Sequence, residues 1–298
     1  MSYVLAIADR TYSSWSLRGW LMFARFDLPV TVRTATIYTP AFPAMLADFG
    51  AARTAPALRI EEDGRSFALW ETPAIAETLV ERHPDRPFWP ADPGRRALAR
   101  SLAAEMHAGF AALRAACPMN LRRAYAGFEP SEAVHADLAR IETLWDLARA
   151  AISGEGPWLF GAYSLADAFY APVAARIAGY GLPVGPAAAA YVTLHLAEPA
   201  FRAWRAAGLA EAHVQARYEL DLPERPWPGP AALPARAVTG VPATNAACPF
   251  SGKRVADDSL AEVDGVVIGF CNRFCRDKVV ADPEAWPAAM AAVAAARR

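Results

Sequence analysis

An unbroken apolar run, Tyr3-Val4-Leu5-Ala6-Ile7-Ala8, lies near the start of the chain and reads as a buried strand. Leu17, Trp20, Leu21 and Ala24 follow at the spacing of a helix core face. Val30–Ile37 is rich in β-branched residues and predicts a second strand. Tyr38–Arg53 is irregular, broken by Pro40 and Pro43. Then Ala55-Pro56 leads into Ala57-Leu58-Arg59-Ile60, with the proline expected at the strand's start, where it costs no ladder bond. An X–Pro bond there admits the cis isomer. Asp63-Gly64 signals a hairpin into Ser66–Trp70. Thr72 is expected to cap a helix with Pro73 at its first position and Ile75, Ala76 and Leu79 on its apolar face. The first two strands are joined by a helix and should be parallel; the next two form a hairpin. The result is a mixed sheet with helices against it.

Beyond the stiff connector Pro84–Pro90 the periodicity is helical. Leu98, Leu102, Met106 and Phe110 predict one helix from about Gly94 to Ala116. Ser131 is placed to cap a helix carrying Leu138, Ile141, Leu144 and Trp145. Ser164-Leu165-Ala166-Asp167 reads as a capping box for a helix carrying Phe169, Tyr170, Val173 and Ile177. Shorter helical stretches follow around Tyr191–Leu196 and Phe201–Ala216. From Asp221 to Ala247 prolines recur without apolar periodicity, which predicts an exposed linker. The last stretch predicts a hairpin over Leu260–Cys271, turning at Asp264-Gly265, and two helices, one from Cys271 and one from Asp282-Pro283.

The 298 residues are 54% hydrophobic and 20% charged, enough for a sizeable core. A net charge of −1 gives no footprint for nucleic acid or an anionic membrane surface. No apolar run reaches the ~20 residues of a spanning helix, and no leader pattern stands at the N-terminus. A cytoplasmic protein is expected. Cys117 stands alone and reads as a buried small hydrophobe. Cys248, Cys271 and Cys275 cluster late, as C-x22-C-x3-C, which suits metal or redox work better than a disulfide framework. Thiolates select soft or borderline ions such as Zn(II) or Cu(I). The five histidines show no close metal spacing and read as surface or capping residues.

The chemistry centres on Tyr12-Ser13-Ser14-Trp15-Ser16, hydroxyls on a strand-to-helix turn. Free backbone N–H groups and the positive helix end favour an anion there. A serine O–H at such a point can hold a thiolate ionised near neutral pH. Ser13, Ser14 or Ser16 serves equally well as a plain N-cap. Trp15 lines a hydrophobic pocket or packs between the two halves, and Arg18 reads as structural, solvated or paired with an acid.

Four landmarks in order, the Ser13–Ser16 turn, Ala55-Pro56, Glu71-Thr72 and Ser164-Leu165-Ala166-Asp167, resemble those of the glutathione S-transferases. The resemblance implies a thioredoxin-like N-terminal domain over 1–83 and an all-helical domain over 94–220, followed by the Pro-rich linker at 221–246. It implies glutathione as co-substrate, with Ser14 as first choice of thiolate donor and Ser13 as second. Ser16, Ala55, Pro56, Glu71 and Thr72 would bind the rest of glutathione. Ala55 would pair through its backbone, and the γ-glutamyl end would lie at Glu71 and Thr72. The reaction implied is conjugation, isomerisation or glutathione-dependent reduction of a small hydrophobic electrophile, in a homodimer. The Ser-Ser-x-Ser pattern is similar to that of the zeta-type members, but Trp15 stands where those carry a cysteine, a departure that bears on their isomerase activity.

Residues 247–298 resemble the small YHS/TRASH-type α+β domain in the Cys248-Pro-x-Ser-Gly start, the Gly269-Phe270-Cys271 strand end and Asp282-Pro283. The Tyr-His-Ser signature is missing. That resemblance implies zinc or copper on Cys248, Cys271 and Cys275. The alternative reading is a non-catalytic glutathione-binding or metal-handling protein.

Overall fold

Burial of Tyr3 through Ile7 on both faces places strand β1 (Ser2–Ile7) inside a sheet rather than at its edge. The computed structural model describes residues 1–153 and 155–297. The four-stranded sheet runs β2-β1-β3-β4, with β2 (Thr31–Thr34), β3 (Ala57–Glu62) and β4 (Arg65–Trp70). β1 and β2 are parallel, as a crossover through helix α1 (Ser14–Ala24) requires, and β3 is antiparallel to both β1 and β4. Asp63 and Gly64 both take positive φ in the tight turn between β3 and β4.

Val4 and Ala6 face Leu46 of the short helix α2 (Ala41–Leu46) and Phe49 just beyond it, while Leu5 faces α1. Helix α3 (Thr72–Arg82) packs beside α1. Its cap is Glu71, one residue earlier than expected: Thr72 is already helical, its hydroxyl is turned to a neighbouring histidine, and Pro73 falls one place further in.

The predicted helix from Gly94 to Ala116 is two helices, α4 (Pro93–Ala108) and α5 (Ala111–Ala116). Phe110 adopts a left-handed conformation, and Gly109 lies so close to Glu105 O that a Cβ would stand 2.8 Å from it. The four-residue periodicity runs across this break because Met106 before it and Phe110 within it are both buried. Helices α6 (Glu132–Ala150), α7 (Leu165–Tyr180) and α8 (Pro186–Ala197) follow. All sixteen residues of α7 are buried, and it packs against both α1 and α4. The capping box is present: Asp167 accepts from the Ser164 N–H at 2.8 Å and, from outside the helix, from Leu159 N–H and Tyr191 O–H. His195 is 1% exposed and ringed by Trp158 and Tyr191, so its reading as a surface or capping residue is corrected.

Two compact units result, one of residues 1–196 and 215–228, the other of 197–214 and 229–298. The Pro-rich stretch is more ordered than its composition suggests. Strand β6 (Glu224–Arg225) pairs with β5 (Ala124–Tyr125) in the first unit. In the second, β7 (Ala235–Val238) forms a sheet with β8 (Leu260–Val263) and β9 (Val266–Gly269), in that order. Its core, Ala261, Val263, Ile268 and Phe270, is covered by α10 (Arg273–Ala281) and α11 (Pro287–Ala296). Helix α9 (Pro199–Leu209) packs on α10, and Arg202 grips Asp282 bidentately at 2.7 and 2.8 Å. The architecture is thus a thioredoxin-like sheet with its helices, a helical bundle, and a small strand-and-helix region bearing cysteines. Among the described residues no helix is long and apolar enough to cross a membrane.

Candidate functional site

The turn leading into α1 is built by its own backbone: Asp9 O accepts from Tyr12 N–H at 3.2 Å and from Ser13 N–H at 2.9 Å. Ser13 is the N-cap; its Oγ accepts from Ser16 N–H at 3.3 Å and donates to Ser16 Oγ at 2.8 Å. Ser16 Oγ, fully buried, also accepts from Ala8 N–H at 3.0 Å. Two of the three serines are therefore committed to the turn. Ser13 and Ser14, the latter the first helical residue, line a cavity of about 670 Å³. Ser16 does not line it.

The Ala55-Pro56 bond is cis, and Ala55 and Thr54 form part of the wall of this cavity and of a second one of about 200 Å³. The smaller cavity is completed by Pro56, Glu71, Thr72 and His107, and Trp15 is shared by both. Sequence-named residues far apart in the chain, Ser14, Ala55, Glu71 and Thr72, thus lie around two adjoining hollows. Glu71 holds φ at +70°, an uncommon value for a residue with a Cβ, at the N-terminus of α3. Such local strain is characteristic of ligand sites.

His107 was not singled out by sequence reasoning beyond a surface role, and that reading is corrected. It is half-buried, its Nδ1 is 3.3 Å from Thr72 Oγ1, its Nε2 is 3.4 Å from Glu71 Oε2, and its ring meets Trp15 edge-on. Burial holds its pKa below the usual imidazole value, helped by Arg18 and Arg114 and opposed by Glu71. Nothing in the local sequence marked it, because α3 and α4 bring it there only on folding.

The larger cavity is strongly cationic. Arg53, Arg114, Arg176 and Arg217 line it, and no lining residue is acidic. Arg176 is buried on α7; its Nε donates to Cys117 O at 2.8 Å and its Nη2 to Ser14 Oγ at 3.4 Å. Burial, then Arg114, bring its pKa down to about 10. An arginine amid Val173, Ala174, Ala175, Ile177 and Ala178 was the one signal that could have found it. Arg18 is neither solvated nor paired with an acid. It is fully buried behind Trp15, with its guanidinium carbon 4.4 Å from the ring centroid. Its Nε donates to Phe169 O at 2.8 Å, and its two Nη atoms have no hydrogen-bond partner among the described residues. Burial and then Arg176 and Arg114 put its pKa well below the usual guanidinium range. Cys117 is buried and its thiol pushed up to about 12, mainly by desolvation.

The mouth is overhung by Tyr38, whose hydroxyl is 3.4 Å from that of Tyr218, while Gln215 donates to Ile37 O at 3.0 Å.

In the second unit the sulfurs of Cys248, Cys271 and Cys275 lie within 4.8 Å of one another, and all three are reduced. Ser251 Oγ and Asn272 Nδ2 donate to Cys271 Sγ at 3.2 and 3.3 Å. Burial raises the Cys248 pKa, but backbone N–H groups of Cys271, Phe250 and Ser251 outweigh it and bring the thiol down to about 6. Cys275 is pushed up to about 11 by burial, with Lys278 opposing and the other two cysteines adding.

Residues 12–82 match the family described as glutathione S-transferase, N-terminal domain. Among solved structures, a glutathione transferase homolog from Burkholderia gl BGR1, with bound glutathione, is 26% identical over 68% of this chain and 96% of its own, with a TM-score of 0.50. A glutathione transferase from Methylococcus capsulatus strain Bath is 18% identical over 69% and 98%, with a TM-score of 0.51. Glutathione transferase Omega 3C from Trametes versicolor is 20% identical over 69% and 88%, with a TM-score of 0.50. The last two speak to the fold alone. No curated protein matches the chain. The chain has the glutathione-transferase fold.

Proposed function

We propose that the chain is a glutathione-dependent enzyme that lowers the pKa of the bound thiol and presents the thiolate to an electrophile in the larger cavity. The observation that carries this is the division of labour in the turn: Ser13 and Ser16 are bonded to each other and to the backbone, so that of the two serines lining the cavity, Ser13 and Ser14, Ser14 is the one outside that pair, at the start of α1. A hydroxyl has one proton to donate, and Ser14 sits where first-turn N–H groups and the helix dipole also favour negative charge. Lowering a thiol from ~8.5 by one or two units needs only about 1.4–2.8 kcal/mol of preference for the thiolate. Charge-assisted hydrogen bonding of this kind supplies that magnitude.

The rest of glutathione would lie across Trp15 into the smaller cavity. Its cysteinyl backbone would pair with Ala55 as an added strand does. The γ-glutamyl end would meet Glu71, Thr72 and the N-terminus of α3, which favours a carboxylate. The thiol proton leaves to water, and the sulfur lone pair forms the new bond as the electrophile's leaving group departs with its electron pair, or as its π bond opens and the resulting anion takes a proton from water. The decisive measurement is ultraviolet titration of the thiolate on wild type and Ser14→Ala. A bound pKa well below that of free glutathione, raised by the substitution, supports catalysis. Saturable binding without a lowered pKa makes the protein a non-catalytic binder.

A second activity is supported by the cysteine cluster. Three cysteine sulfurs within 4.8 Å, a nearby Ser251 hydroxyl and no histidine after His213 suit a thiophilic ion, Zn(II) with one further donor or Cu(I) in trigonal form. Cys248, Cys271 and Cys275 would hold it, and a closed site of this kind contributes folding stability. Equilibrium dialysis of the full chain against zinc, with Cys271→Ser as control, tests it.

A further inference from the structure

The guanidinium of Arg176 is fixed at three points, all of them neutral. Nε donates to Cys117 O at 2.8 Å, Nη1 to Pro172 O at 3.4 Å and Nη2 to Ser14 Oγ at 3.4 Å. Its charged neighbours are also cations, Arg114 on α5 and Arg18 on α1. The other titratable groups around it are Cys117, Tyr180 and Tyr218, none of which is a carboxylate. A buried cation ordinarily demands a counter-charge. Here the side chain lines the cavity that Ser14 also lines.

We propose that Arg176 is the positioning residue of Ser14: by donating to Ser14 Oγ it leaves the hydroxyl proton free to point at the sulfur of bound glutathione, whose negative charge then completes the site. This rests on the glutathione reading above. A serine hydroxyl carries one proton and two lone pairs on a free rotor. With a lone pair held by Arg176, the O–H bond turns away from the guanidinium and towards the cavity. The same guanidinium gives the thiolate a positive charge at short range in a water-poor pocket, where such interactions are strengthened. The thiol's proton passes to water, and no base on the protein is needed. Because Arg176 also ties α7 to the Cys117 carbonyl, loss of the side chain has a structural effect too, and the test must separate the two.

The test uses the full chain as wild type, Arg176→Gln, Arg176→Lys, Ser14→Ala and the Ser14→Ala/Arg176→Gln pair. Bound glutathione is titrated in the ultraviolet, and S-methylglutathione, which has no thiol proton, is bound calorimetrically. Arg176→Gln should raise the bound-thiol pKa by about one unit, a tenfold loss of thiolate below that pKa, with Arg176→Lys between it and wild type. S-methylglutathione should bind all variants within about threefold. The double variant should shift the pKa by clearly less than the sum of the two single shifts, the non-additivity of two residues acting in part as a unit. An unchanged thiol pKa in Arg176→Gln, an additive double variant, or equal loss of S-methylglutathione binding would each overturn the proposal. Absence of glutathione binding in wild type is a different failure: it removes the functional reading itself and this inference with it.

Discussion

Gly19 lies against Pro56 with no room between them: a Cβ on Gly19 would stand 2.7 Å from Pro56 Cγ. This contact brings the start of α1, and Ser14 with it, beside the Ala55 backbone. Gly19→Ala gains up to about 1 kcal/mol of helix propensity but incurs an overpacking cost of about 1–3 kcal/mol. The second effect wins, because the proline ring cannot swing aside. We expect a net loss of about 1 kcal/mol in denaturant unfolding and weaker glutathione binding, with Gly19→Val worse on both counts. Unchanged stability and affinity would mean that the contact is loose.

Ser13 and Ser14 should separate stability from chemistry. Ser13→Ala removes the α1 cap and should cost about 1 kcal/mol of stability, while leaving a lowered bound-thiol pKa. Ser14→Ala should do the reverse. Thermal unfolding and thiolate titration of the two proteins side by side read the difference, and the same pattern in both would contradict it.

His195 makes the fold acid-sensitive. Burial holds its pKa at about 3 in the folded state, against about 6.5 unfolded. The folded value is depressed, so the unfolded chain binds the extra proton, and stability is full above about pH 6.5 and falls as the pH drops towards 3. At pH 5 the penalty is about 2 kcal/mol. His195→Leu should flatten the pH dependence of the unfolding midpoint between pH 6.5 and 4.

Arg202 and Asp282 are both largely sequestered, with side chains 17% and 11% exposed, and they join α9 to the segment after α10. Replacing one partner strands the other, at a cost of up to about 3 kcal/mol for a pair this buried. Arg202→Met should therefore destabilise the second unit in denaturant unfolding. Truncation after Asp221 should give a less stable protein than the full chain, since α9 loses α10.

Metal binding, where it occurs, should stabilise the second unit. Free zinc at a hundredfold excess over its Kd adds about 2.7 kcal/mol to the folded state. The melting temperature of the full chain should rise with zinc and fall with chelator, and Cys248→Ser should be insensitive to both.

The layout of the sheet was readable because its signals are local. A buried run followed by an amphipathic stretch fixed β1, α1 and the parallel β2, and Asp63-Gly64 fixed the β3–β4 hairpin. The serine turn and the proline step at Ala55-Pro56 stood out locally, whereas Ala55 and Glu71-Thr72 were named as site residues only through the family resemblance, and the positive φ of Glu71 had no signal in the sequence. Arg114, Arg176 and His107 were not, because each enters the site from a helix whose neighbours are set by packing across the fold. The break at Gly109-Phe110 escaped for a related reason, since apolar spacing is blind to a turn that keeps the same side chains inward. The placing of α9 with the cysteine-bearing unit depends on Asp282, more than seventy residues on, and no window of sequence holds both.

That last arrangement carries a consequence for how the chain is made. Residues 215–228, with Arg217 and Tyr218 of the cavity wall, are flanked on both sides by segments of the other unit. A ribosome therefore releases α9, with its apolar Phe201 and Trp204, well before it has built α10. At ~5–20 residues per second the helix waits some seconds for its partner. In that interval the nascent chain can finish the unit that holds the cavity while one helix is still unclaimed.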